Sequence, residues 1–354
     1  MSRESVSTET VRLADFTTLR VGGPATRVVT AGTTDELVDA VREVDDADEP
    51  LLLVAGGSNL LVADDPVPGT VVRVATEGIT VESADSCGGA SVRVAAGESW
   101  EALVDRAVAE GWVGIEALAG IPGSCGATPI QNVGAYGQEV ADTIASVRVW
   151  DRFGQQVVTV ANADCRFTYR HSAFKGTNRF VVLDVLFQLR LGDLSAPIRY
   201  SDLTRALGVD PGARVPLADA REAVLAQRRR KGMVLDDADP DTWSAGSFFT
   251  NPILPAAEFA ALVARTPGPP PAWPGPDGGV KTSAAWLIEQ AGFTRGYGLP
   301  GPASLSTKHT LAVTNRGSAT AADVLALARA VRDGVQDAFG VTLVPEPVLV
   351  GCSL

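Results

Sequence analysis

GIPGSCGATPIQNVGAYG, residues 120–137, holds Gly120, Gly123, Gly126, Gly134 and Gly137, with Ser124, Thr128, Gln131 and Asn132 between them. Glycine loses more backbone entropy on folding than any other residue. A stretch this rich in it is expected where main chain approaches a ligand closely and hydroxyls and amides supply the hydrogen bonds. A second loop, VAGGSNLLV at 54–62, places Gly56, Gly57, Ser58 and Asn59 directly after the apolar run LLLVA (51–55). That run is too short for a helix and reads as a buried strand entering a tight turn. Positive φ at its glycines would turn backbone N–H groups toward one point, a nest suited to phosphate, although an isolated GGSN is more often an ordinary β-turn. Neither loop has the Walker A lysine or the G-x-G-x-x-G spacing of a Rossmann site.

Outward from these loops the chain alternates. Residues 33–46 open with Thr33 and Glu36 in capping-box spacing and set Leu37, Val38, Val41 and Val44 on one helical face. From about 70 to 212 strands are expected at VVRVA, SVRVAA, IASVRVW and FVVLDVLFQL. In the last, Val181, Leu183, Val185, Phe187 and Leu189 alternate with Asp184, Gln188 and Arg190, the period of a half-buried strand. Ser99 is placed to cap a helix running from Trp100 to Gly111. Beyond 213 helices are expected at 217–230, 255–265, 282–291 and 320–339. TPGPPPAWPGPDGG (266–279) should be an extended surface connector, since proline fixes φ and cannot donate.

The chain of 354 residues is 45% hydrophobic and 20% charged, enough for substantial cores and two or three domains. Its 42 acidic against 30 basic residues give a formal charge of −12, the wrong sign for a nucleic-acid binder, so an anionic ligand needs local cations. The polar start, MSRESVSTETVR, lacks the apolar core of a secretion signal, and no stretch is long and apolar enough to span a membrane; a cytoplasmic protein without membrane partners is expected. Cys87, Cys125, Cys165 and Cys352 are far apart and read as free thiols. His171 and His309 are too few for a histidine metal site or a Ser-His-Asp hydrolase, so no metal is expected, and His309 is read as structural or surface.

TLRVGGPA (18–25), AGGSNLLV (55–62), GIPGSCGATPIQNVGAYG (120–137), RFTYRHS (166–172), AGSFFTNP (245–252) and PEPVLVG (345–351) occur in the order seen in UDP-N-acetylenolpyruvoylglucosamine reductases, and the resemblance spans almost the whole chain. It implies an α+β protein: a two-part FAD-binding region of the vanillyl-alcohol-oxidase-like type (1–75 and 76–230), a C-terminal α+β substrate-binding domain (231–340), and a final strand (341–354) returning to the FAD-binding region. The implied reaction passes hydride from NADPH, the co-substrate, to FAD and on to the enolpyruvyl double bond of a small-molecule UDP-sugar, in peptidoglycan precursor synthesis; a monomer is expected.

The resemblance also implies residue roles. FAD would be held by Ala55, Gly56, Gly57, Ser58, Asn59 and Leu60 of one loop. The other loop would contribute Gly120, Ile121, Pro122, Gly123, Ser124, Gly126, Ala127, Gln131, Asn132, Gly134, Ala135 and Tyr136. Arg170 would polarise the substrate carboxylate, a task suited to a fixed, always-charged fork of donors. Glu346, aimed by Pro345 and Pro347, would act beside it, and Ser247 would donate the proton. Tyr169, Tyr200, Lys231, Asn251 and Glu289 would bind substrate, Tyr200 marking the subgroup whose substrate-binding domain carries a tyrosine loop over the site. Without the resemblance, Arg170 reads as a surface ion-pair partner, Glu346 as a polar kink, Ser247 as a turn hydroxyl and Arg228–Lys231 as a helix end facing water. Two other readings remain open here: another flavin enzyme of the same superfamily, such as an alcohol oxidase, and a nucleotide-sugar binding protein without turnover.

Overall fold

The structure, a computed structural model, describes residues 11–266 and 268–354; the polar start of the chain falls outside them up to residue 10. A short parallel sheet comes first. Strand Val67–Val74 lies between Ala25–Ala31 and Leu51–Val54 and pairs parallel with both. Helix α1 (Thr34–Asp46) crosses between them, and its capping box is complete: Thr33 Oγ1 accepts from Glu36 N while Glu36 Oε2 accepts from Thr33 N. Leu37, Ala40 and Val41 pack on Ala31 and Val72, and burying Leu37 or Val41 fully stabilises by about 1.5–3 kcal/mol each.

The larger sheet is antiparallel, in the spatial order Gln156–Ala161, Ile144–Asp151, Phe180–Leu191, Gly89–Ala95, Ile79–Asp85, with Trp112–Val113 paired to the end of Phe180–Leu191. Its core takes Trp100, Leu103 and Val104 of α2 (Trp100–Ala109, capped by Ser99), Leu203 of α3 (Ser201–Leu207) and Val224 of α4 (Leu217–Arg230). Strand Phe180–Leu191 departs from the alternation expected of it, because Val181–Val185 are all buried. Val181 and Leu183 pack on the core of the first sheet while Val182 faces the larger one, so this half of the strand is covered on both sides. Asp184, 4% exposed, survives there by accepting from Arg93 Nη1 at 2.7 Å and Arg148 Nε at 2.6 Å.

The C-terminal region holds α5 (Ala256–Arg265), α6 (Ala284–Gln290) and α7 (Ala321–Phe339), close to the ranges expected, around Leu262, Leu287, Val324 and Val331. The proline-rich connector is not wholly a loop. Ala272–Pro274 forms the edge of a small sheet, beside Val280–Thr282 and then Ile253–Leu254. An edge strand tolerates proline, whose missing donor would otherwise be needed on the outer side. Two contacts tie this region back to the segment that links strands Leu51–Val54 and Val67–Val74. Asp64 accepts from Ala321 N and Ala322 N at the positive end of α7, and Val348–Val350 pairs parallel with Leu60–Val62. Among the described residues no helix is long and apolar enough to cross a membrane.

Removing the Asp184 carboxylate leaves two arginines facing each other over a buried strand. Asp184→Ala is expected to lower the unfolding free energy by about 1–3 kcal/mol, the figure for a broken buried pair reduced because both arginines are partly solvated. Urea denaturation checks it, and an unshifted midpoint would mean that solvent replaces the carboxylate without loss.

Candidate active site

The two glycine loops meet face to face. A Cβ on Gly56 would fall 2.7 Å from Gly123 Cα, one on Gly57 would overlap Phe16 O, and one on Gly126 would stand 2.7 Å from Ala96 Cα. These glycines are therefore demanded by main chain packed on main chain, where a ligand was expected to demand them in the long loop and a β-turn or a phosphate nest in the short one. Ser58 Oγ donates to Pro122 O at 2.9 Å, and Asn59 Nδ2 donates to Gln131 Oε1 at 2.9 Å, fastening one loop to the other. Between them opens a cleft of about 470 Å³ lined by residues 55–60 together with Ile121, Pro122, Gly123, Ser124, Gly126, Ala127, Gln131, Gly134, Ala135 and Tyr136. Gly120 and Asn132 do not line it. Gly120 backs onto Leu225 and Arg228. Asn132, 1% exposed, bonds Glu139 Oε2, Thr168 O and Ala141 N, bracing the hairpin that carries Arg170.

That hairpin is closed by reciprocal backbone bonds between Thr168 and His171. Arg170 sits in it with φ +54, Nη2 donating to Gly134 O at 2.9 Å and Nε 2.9 Å from Glu346 Oε1. The Nε–H does not point along that ion-pair contact and keeps a buried donor without an aligned partner among the described residues. Glu346 arrives because its N–H donates to Phe248 O, Phe249 bridges Pro345, and Val348 N donates to Asn59 O. Its side chain is 12% exposed, and burial pushes its carboxyl above the usual carboxylate range against the pull of Arg170 and Lys175. Phe248 and Phe249 are buried, whereas Ser247, beside them, lines the cleft with Arg170 and Glu346. Its hydroxyl bonds no described residue, which leaves it available to a ligand.

Across the cleft, Tyr200 packs edge-on to Tyr136 at 5.2 Å, and Lys231 Nζ lies 5.8 Å over the Tyr136 ring and 3.5 Å from Asp202. Tyr200 is carried by the region of the large sheet, within residues 76–230, because Ile198 and Leu203 on either side are anchored in the larger core. Asn251 and Tyr169 meet at the margin. Asn251 N donates to Tyr169 Oη at 3.4 Å, Asn251 Oδ1 accepts from Ala284 N, and Lys281 Nζ stands 4.8 Å over the Tyr169 ring. Glu289 is exposed, off the lining, and accepts from Thr310 Oγ1 at 3.2 Å.

Three lining residues escaped the sequence reading. Arg228 is half-buried on α4, not part of a solvated helix end: its Nη2 donates to Met233 O and its Nε has no described partner. The signal was there, since Arg228 falls one turn after buried Val224. Lys175 follows a turn and carries no periodic signal. His309 lines the cleft too, and burial with Lys231 and Arg295 nearby pulls its imidazole down to about 4, so it is neutral at pH 7. A histidine charged less readily folded than unfolded contributes stability above about pH 6.5 that is lost as pH falls toward 4. His309→Gln should therefore lose less stability than wild type between those values, read by urea unfolding across the window; parallel pH curves would sink the assignment.

The lining thus holds Arg170, Lys175, Arg228 and Lys231 against the single acid Glu346, a cationic cleft in an acidic protein. Residues 239–350 match the family model described as UDP-N-acetylenolpyruvoylglucosamine reductase, C-terminal domain, and residues 25–159 match the one described as FAD binding domain. A UDP-N-acetylenolpyruvoylglucosamine reductase of Streptomyces avermitilis is 59% identical over 97% of this chain and 94% of its own length, and one of Thermobifida fusca is 57% identical over 97% and 98%. The crystal structure of the Thermus caldophilus reductase superposes with a TM-score of 0.64 at 28% identity, covering 97% of this chain and 98% of that one. With that identity over nearly the full length, the chain belongs to the UDP-N-acetylenolpyruvoylglucosamine reductase family.

Proposed function

We propose that this cleft reduces UDP-N-acetyl-enolpyruvoylglucosamine to UDP-N-acetylmuramate with FAD and NADPH, as a cytoplasmic monomer in peptidoglycan precursor synthesis. The observation that carries the reading is the convergence, in one cationic cleft, of both glycine loops, the Arg170–Glu346 pair and the unpartnered Ser247 hydroxyl. The residues fit FAD. Buried Ser124 Oγ lacks a partner among the described residues, and the glycine loops expose backbone where a phosphate and a flat ring need close approach. Held by these loops, FAD would supply the hydride chemistry linking NADPH to the substrate alkene.

The chain's own groups do the rest. Arg170, turned into the cleft and with Nε–H unaligned to Glu346, grips the substrate carboxylate and stabilises the negative charge that develops beside it. Glu346 holds the guanidinium in place, and Ser247 delivers the proton to the neighbouring carbon. Serine is a weak acid, so this donation suits a strongly basic acceptor carbon. Lys231, Tyr200, Asn251 and Tyr169 hold the nucleotide sugar. The same reading keeps the division 1–75, 76–230, 231–340 and 341–354, around three main apolar clusters that share residues across these bounds, Val181 and Leu183 packing with the small sheet and Leu19, Val21 and Leu61 with the C-terminal helices.

Purified protein should be yellow and should consume NADPH with the enolpyruvyl UDP-sugar but not with its saturated product; a colourless preparation that takes up no FAD would end the proposal. Ser247→Ala should leave flavin reduction by NADPH nearly intact and slow substrate reduction by about 10²–10⁴-fold. Stopped-flow traces separate the two halves, and equal slowing of both would make Ser247 a support of the flavin instead.

A further inference from the structure

Lys175 stands beside the Arg170–Glu346 pair with no part yet in the chemistry. Its Nζ donates to Arg170 O at 3.0 Å across a separation of 5 residues, and its side chain lines the cleft. Burial holds its ammonium below the ordinary lysine range while Glu346 draws it back up, and Lys175 with Arg170 draws the Glu346 carboxyl down in return. The three groups form one electrostatic cluster. Arg228 and Lys231 share the cleft but are not among the groups acting on Glu346; Arg228 acts with Tyr136 and Glu101 instead.

Two needs of the site meet at this lysine. The first is conformational. Arg170 occupies the left-handed region at φ +54, which any residue with a Cβ resists, so its surroundings must hold it there. Backbone bonds close the hairpin around it, but among the described residues Lys175 is the side chain that bonds Arg170's own main chain. The second need is charge. Arg170 and Glu346 cancel, so by themselves they offer an incoming carboxylate no net attraction to offset its loss of water. Around Glu346 itself, two cations less one anion leave a local surplus of one positive charge, and Lys175 supplies it.

We propose that Lys175 positions Arg170 and sets specificity, supplying beside the Arg170–Glu346 pair the local net charge by which the cleft prefers a UDP-sugar that bears a carboxylate over the same sugar without one. This rests on the reading of the cleft given under Proposed function. The experiment is equilibrium titration of the FAD-loaded protein with the enolpyruvyl UDP-sugar and, separately, with UDP-N-acetylglucosamine, which lacks the carboxylate. The wild type tests the underlying reading alone: equal affinity for both ligands, or none for either, would sink that reading whatever Lys175 does. Given a wild-type preference, Lys175→Met should weaken the carboxylated ligand by about 10- to 100-fold, the scale of a lost hydrogen-bonded charge, and change UDP-N-acetylglucosamine by about twofold or less. Lys175→Arg should restore most of the preference. Lys175→Gln, which keeps a donor for Arg170 O but no charge, separates the two effects and should still lose the preference. Equal weakening of both ligands, an intact preference in the Met and Gln variants, or failure of both to fold and hold FAD would each overturn the proposal and leave Lys175 structural.

Discussion

A carboxylate taken out of water needs cations or hydrogen-bond donors around it, and the burial of Glu346 against Arg170 is the constraint around which this molecule is organised. Neither residue reaches the other locally. Arg170 is presented by a hairpin braced from the long glycine loop through Asn132 and Gly134. Glu346 is delivered by a C-terminal segment that pairs with Leu60–Val62 immediately after the short glycine loop. The ion pair therefore closes a circuit through both loops, and Asn59, bonded to Gln131 on one side and to Val348 on the other, is its junction.

The same circuit explains the economy of side chains in the loops. Gly56 against Gly123 and Gly57 against Phe16 bring main chain nearer to main chain than a Cβ allows. Close packing of the loops on each other and exposure of their backbone to a ligand are two faces of one requirement. The C-terminal helices share in it, because the buried Phe248 and Phe249 of their core hold the segment on which Ser247 faces the cleft.

Electrostatically the cleft inverts the protein. A chain with a formal charge of −12 gathers four cations and one acid along a single lining, and its low-dielectric walls keep their field from being screened as surface charges are. That field suits a substrate carrying both a carboxylate and a diphosphate. Burial first, and then the charges of Lys231 and Arg295 beside it, keep His309 neutral.

Much of this was legible in the chain. Thr33 with Glu36, Ser99 before Trp100 and the apolar faces of the later helices have causes within a few residues of themselves, so their elements came out close to the expected ranges. Both glycine loops were local in the same sense, whereas the α+β class followed from the resemblance carried by several motifs in order along the chain. What only the tertiary structure decided were the relations between distant segments: that Val181–Val185 would be covered on both faces, that an edge strand would form within the proline run and that Tyr169, Asn251 and Glu289 would stand off the lining. Lys175, Arg228 and His309 belong with these, for a side chain's part in a cleft depends on which other elements close around it, and periodicity along one segment carries no information about that.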